Sequence, residues 1–173
     1  MLAIQLARAG AAANAADNTR QTASKPADGE VRKPTENRIA LLVCCGAYPN
    51  GKNIWPARKN GRDLEAALRV HGFDVQVAYD ADRPGFTAAV DRFKRQIHAL
   101  PDDGRTIGIV YFVGHGMQYE GHNYLLPSGV SIDDPSAKEK SISLQDEVLA
   151  AFPQHYPGLG VAIIDACRDG ISP

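Results

Sequence analysis

The chain has 173 residues, 44% of them hydrophobic and 23% charged, with a formal net charge of −1. This length supports one domain with a real core and excludes two. The balanced charge excludes a global field for nucleic acid or an anionic membrane, and no apolar run approaches the roughly 18 residues of a membrane-spanning helix.

Met1 to Ala16 is rich in alanine, and Asp17 to Asn37 is polar with scattered Lys, Arg, Pro and Gly. Such a composition buries too little apolar surface to offset the cost of ordering, so residues 1–37 read as a flexible arm before a domain spanning 38–173. The arm has no basic n-region, and Arg8 interrupts its apolar stretch. A cytoplasmic location is therefore expected, with export as the alternative because Ala13-Asn14-Ala15 resembles a cleavage site.

From Arg38 onward the pattern is periodic. Ile39 to Cys45 is a continuous apolar run ending at Gly46, the mark of a buried strand. Asn60 is placed to cap a helix with Asp63 in its first turn and Leu64, Ala67 and Leu68 on one face. His71-Gly72 closes it, and Phe73, Val75, Val77 and Tyr79 alternate as a second strand. Pro84 suits the first turn of a second helix carrying Phe86, Val90, Phe93 and Ile97. Ile107 to Val113 reads as a third strand, and His122-Asn123, flanked by Gln118-Tyr119 and Tyr124-Leu125, as a small hairpin. Ser143 with Asp146 opens a third helix bearing Leu144, Val148 and Phe152, and Leu159 to Ile164 is the fourth strand.

Strands alternating with helices imply an α/β fold, with a mainly parallel sheet covered by helices on both faces. Ligands of such sheets bind beyond the carboxyl ends of the strands. Those ends carry Gly46, then Gly114-His115-Gly116, then Asp165-Ala166-Cys167. The count of three cysteines, with Cys44 and Cys45 adjacent inside a strand, argues against a disulfide framework or a zinc site. Cys44 and Cys45 read as small core residues.

Cys167 is the candidate nucleophile and His115 its base, since an imidazole that takes the thiol proton makes the sulfur reactive. They lie 52 residues apart in sequence (115 to 167) but follow strands expected to end at the same sheet edge. The amides of Gly116 and Cys167 are the candidate donors to an oxyanion. The bland reading is a buried inert thiol and a histidine bonded to backbone.

Tyr111-Phe112-Val113-Gly114-His115-Gly116 resembles the histidine motif of caspases and metacaspases, and Asp165-Ala166-Cys167-Arg168-Asp169 their cysteine motif. The stretch from Gly116 to Pro127 is similar to the segment after the histidine in bacterial caspase-like domains. The resemblance covers about Arg38 to Gly170. It implies a three-layer caspase-like sandwich, a cysteine endopeptidase acting through a Cys–His dyad, and further C-terminal strands, a small-subunit-like segment, beyond Pro173. On this reading the edge beside Leu159–Ile164 is unpaired, and the chain alone has little activity. No resident cofactor is expected, and the resemblance to metacaspases leaves calcium as an alternative. Asp165, two residues before Cys167 in an extended strand, should emerge on the face of the thiol and attract Arg or Lys of a protein or peptide substrate. The rival reading makes it a bracing carboxylate, paired with Arg168.

Two other function classes compete. A caspase-like fold without turnover would be an interaction module. Gly46 to Asn53 nearly fits the phosphate-binding loop G-x-x-x-x-G-K-[ST]. Against that loop, Asn53 lacks the magnesium-binding hydroxyl, and Trp55-Pro56 is expected to obstruct the helix that should follow.

Overall fold

In the computed structural model, residues 2–7, 36–101, 103–154, 158–166 and 169–170 are described. They form, in order, β1 (Leu2–Ala7), β2 (Asn37–Cys44), α1 (Ala57–Val70), β3 (Asp74–Tyr79), α2 (Arg83–His98) and β4 (Thr106–Val113). A hairpin follows, β5 (Gly116–Tyr119) and β6 (His122–Leu125), and then the short α3 (Ala137–Lys140) and β7 (Ile142–Ser143). The last elements are β8 (Leu159–Asp165) and β9 (Asp169–Gly170). The main sheet runs β1-β8-β4-β2-β3, and a smaller one runs β7-β6-β5-β9. In the main sheet β8, β4, β2 and β3 are parallel.

The central strand β2 explains the layering. Side chains alternate across a strand, so a continuous apolar run must be covered on both faces. Ile39, Leu41 and Val43 pack toward Phe86, Val90, Phe93 and Ile97 of α2. Ala40, Leu42 and Cys44 face the other way, toward Ala57, Leu64 and Leu68 of α1. Helices on both faces of a mainly parallel sheet make the three-layer α/β sandwich expected from the sequence. Each fully buried Phe on α2 contributes roughly 1.5–3 kcal/mol through burial. Among the described residues, no helix is long and apolar enough to cross a membrane.

Glycines set two close approaches. Gly61 brings α1 against β2, since a methyl there would overlap Cys44 Sγ. Gly108 and Gly160 face each other across β4 and β8, and both lie under the Phe152 ring. That ring also meets Phe93 edge-on at 5.5 Å.

Three expectations are corrected. First, α1 begins at Ala57, not at Asn60. Pro56 takes the N-cap position with φ −72° and ψ −16°, and no side chain caps the helix. Proline's fixed φ suits a helix start, so Trp55-Pro56 opens this helix and does not obstruct it. Second, Ser143 does cap a helical segment, accepting from the Asp146 amide at 3.0 Å, but the segment is not an α-helix. Leu144–Val148 is a π-helical turn, and Leu149–Ala151 a 3₁₀ turn. Glu147, four residues on, reaches back to the Ser143 amide at 3.0 Å, which suits the wider turn. Pro153 then forces Phe152 into extended backbone with ψ 142°.

Third, the edge of β8 is covered. Leu2–Ala7, expected within a flexible arm, pairs antiparallel with β8 from Leu2↔Asp165 to Ala7↔Gly160. A short apolar segment beside the row of unpaired amides and carbonyls on β8 completes their hydrogen bonds. The rest of the proposed arm, residues 8–35, lies outside the described residues.

Candidate active site

From β2 the chain passes through α1 to β3 on one side, then crosses back through α2 to β4 on the other. The order therefore reverses between β2 and β4, which stay paired as far as Cys44 and Val113, and ligands of such sheets bind in the crevice beyond the carboxyl ends at that switch. The loop after β2 and His115 after β4 meet in that crevice.

A cleft of about 370 Å³ opens at this edge, lined by Ile54, Pro56, Asn60, Val113, Gly114, His115, Asp165 and Ala166. His115 and Asp165, singled out from the sequence, thus share one cavity wall. Among the described residues, the last rung between their strands is the Gly114 amide donating to the Asp165 carbonyl at 3.3 Å. Cys167 and Arg168 lie outside the described residues, as do the expectations about their side chains. The backbone on either side of them is described. Ala166 lines the cleft, and Asp169 pairs in register with Met117, two residues beyond His115.

His115 is held through both its ring and its backbone. Its Nε2 is 2.8 Å from the Lys52 carbonyl oxygen, its amide donates to the Tyr48 hydroxyl at 3.0 Å, and its ring meets the Tyr48 ring edge-on at 4.4 Å. A carbonyl only accepts, so Nε2 carries a proton, and Nδ1 has no partner among the described residues. The Tyr48 hydroxyl also donates to the Leu126 carbonyl at 2.9 Å. The Leu126 amide donates to the His115 carbonyl at 2.9 Å, so the hydroxyl bridges the second rung of that pair. Burial pushes the Tyr48 phenol up, which keeps this donor protonated.

Gly116 pairs with Leu125 on β6. Because His115 and Leu126 form the hydrogen-bonded pair, the alternation of an antiparallel ladder turns the Gly116 amide away from β6, toward β9. On that side β9 pairs with β5 in parallel.

Asp165 accepts a hydrogen bond from the Tyr111 hydroxyl at 3.3 Å. Burial pushes the Tyr111 phenol up and the Asp165 charge adds to it, so this donor also stays protonated. Among the described residues no ion pair engages Asp165, and its carboxylate faces the cleft without a neighbouring cation.

Cys44 and Cys45 are buried, as expected of core residues. Burial first, then the neighbouring Cys45 and Asp80, push the Cys44 thiol up to about 12. Burial also raises Cys45. Neither is a nucleophile near neutral pH.

The loop from Gly46 to Asn53 does not present an empty phosphate cradle. Its Gly46 and Ala47 amides donate to Asp80 Oδ1 at 2.8 and 3.0 Å. The Tyr48 amide donates to Asn53 Oδ1 at 2.7 Å, and the Lys52 amide to the Pro49 carbonyl at 3.3 Å. The anion at this loop is the chain's own carboxylate.

Sequence reasoning missed Tyr48, the Lys52 carbonyl, Asn60, Tyr111 and Asp80. Asp80 left one signal, an acidic residue directly after a strand at the same sheet edge as His115.

Comparison with known proteins adds an independent finding. The Caspase domain family profile matches residues 37–172. Human mucosa-associated lymphoid tissue lymphoma translocation protein 1 is 26% identical over 152 residues, 88% of this chain and 17% of that protein. Its mouse homolog is 26% identical over 133 residues, 77% of this chain and 15% of that protein. The chain thus spans only about a sixth of the length of these curated relatives.

Proposed function

The chain belongs to the caspase-domain family of cysteine peptidases, and on that premise we propose that it is an endopeptidase in which Cys167 is the nucleophile and His115 its base. Nδ1 of His115 takes the thiol proton, and the sulfur attacks the carbonyl carbon of the scissile bond. The oxyanion forms against the amides of Gly116 and Cys167. Collapse breaks the C–N bond, the amine leaves with the proton from the imidazole, and water then hydrolyses the thioester. The observation that carries this reading is His115 itself. Its Nε2 is tied to a carbonyl, its Nδ1 has no partner among the described residues, and it lines a cleft with Ala166, the residue before Cys167.

Specificity for Arg or Lys before the scissile bond follows from Asp165. Among the described residues no cation neighbours this carboxylate on the cleft wall, and a carboxylate so placed favours a guanidinium or ammonium and repels an acidic side chain. The test uses two fluorogenic peptides differing only in Arg or Asp at that position, with the active form of the protein as wild type, Cys167→Ala and Asp165→Asn. The expected result is cleavage of the Arg peptide, its loss in Cys167→Ala, and weakened preference in Asp165→Asn. Preference for the Asp peptide would refute the specificity. Binding of peptide without turnover in wild type would favour an interaction module.

A further inference from the structure

We propose that Asp80 is a positioning residue for His115, acting through the loop Gly46–Asn53. The inference rests on the reading of His115 as base, but its structural content is separate. The loop reaches the imidazole through a backbone carbonyl, that of Lys52, so the position of this acceptor depends on what shapes the loop.

One side chain anchors each of its ends. At its entrance, Asp80 Oδ1 accepts from the amides of Gly46 and Ala47, while Oδ2 accepts from Arg58 of α1 at 3.0 Å. The Asp80 amide donates to the Cys44 carbonyl at 2.9 Å, fixing the carboxylate over the end of β2. One carboxylate thereby joins the ends of β2 and β3 to the first turn of α1. Asp80 has φ +47°, in the left-handed region where Asp is better tolerated than most residues. At the exit, Asn53 Oδ1 accepts from the Tyr48 amide, and the Ile54 amide donates to the Gly46 carbonyl at 2.9 Å. The loop is therefore closed on itself between these two anchors, with Tyr48 and Lys52 facing His115.

Electrostatics favour the same arrangement. Burial alone would raise the Asp80 carboxyl, but the Gly46 amide, the Arg58 side chain and the Ala47 amide outweigh it and hold the carboxyl below the usual range. Asp80 is thus ionised at any pH near neutrality, and the brace is constitutive.

The experiment reads the His115 tautomer by ¹⁵N NMR of the imidazole in the full chain, alongside kcat and KM of the active protein. Wild type is expected to show the Nε2–H tautomer. Asp80→Ala and Asn53→Ala, which open the loop at opposite ends, are each expected to give a mixture of tautomers. They should also lower kcat on the order of 10- to 100-fold with KM little changed. Asp80→Asn keeps an acceptor for the two amides and should restore much of the Nε2–H form. If Asp80→Ala shows no cooperative melt, Asn53→Ala and Asp80→Asn carry the test. An unchanged tautomer in every folded variant overturns the proposal. A changed tautomer in a chain that cleaves no peptide supports the positioning role and instead refutes the peptidase reading.

Discussion

Nε2 of His115 lies 2.8 Å from the carbonyl oxygen of Lys52, a residue 63 positions earlier in the chain. The contact uses backbone on the lysine side, so it makes the identity of that side chain immaterial. Lys52 Nζ is engaged elsewhere, 3.2 Å from Asp133 in an exposed ion pair.

Lys52→Ala should therefore retain the His115 tautomer and most of the peptidase activity. Loss of the exposed ion pair should cost about 0–1 kcal/mol. Peptide turnover and denaturant unfolding check this. A large loss of activity would mean that the ammonium group, not the carbonyl, matters at the site.

Tyr48→Phe keeps the ring against His115 and removes the hydroxyl that joins the His115 amide to the Leu126 carbonyl. Both groups would be left without that partner, and an unmet buried hydrogen bond costs about 1–3 kcal/mol. We expect a stability loss in that range by urea unfolding, with reduced kcat. Unchanged stability would show that water replaces the hydroxyl at no cost.

Gly61→Ala sets helix propensity against packing. Alanine is favoured by about 1 kcal/mol in a helix interior. Here its methyl would overlap Cys44 Sγ and come within 3.0 Å of Tyr79 Cε1. Overpacking costs about 1–3 kcal/mol, so the variant should be less stable than wild type. A raised melting temperature would show that α1 can shift away from β2 freely.

Much of this fold was legible because β2, β4 and β8 are apolar runs and α2 carries its apolar residues at helical spacing. The start of α1 was not. Asn60 looks like a cap, but in the structure it lines the cleft, and Pro56 opens the helix. The π-helical turn after Ser143 escaped as well, since it depends on Glu147 reaching back to Ser143. At the site, His115 and Asp165 announced themselves by residue type at strand ends. The contacts that hold the imidazole did not, because a carbonyl has no residue signature and Tyr48 reads as an ordinary aromatic. The same loop imitated a phosphate-binding sequence, and the carboxylate that fills it, Asp80, comes from a different strand end.

Acid should weaken the Asp80 brace. Its folded pKa is depressed, so its contribution to stability is present above the unfolded value and is lost as pH falls through the folded value. The stability difference between wild type and Asp80→Asn should be largest near neutral pH and shrink as pH drops below about 4, the ordinary aspartate range. Urea unfolding of both proteins between neutral and strongly acid pH measures it. A pH-independent difference would mean that the ion pair and amide contacts do not favour the charged form.

The most direct measurement of the central claim is the rate at which iodoacetamide modifies each cysteine of the native chain, read by peptide mass spectrometry, in wild type and His115→Ala. Cys44 and Cys45 are buried with raised thiol pKa values and should remain unmodified. Cys167 should react first, and at pH 6, well below the ordinary thiol pKa of about 8.5, its rate should fall on the order of tenfold or more in His115→Ala. A Cys167 that reacts no faster than a free thiol, at a rate indifferent to His115, would contradict the dyad.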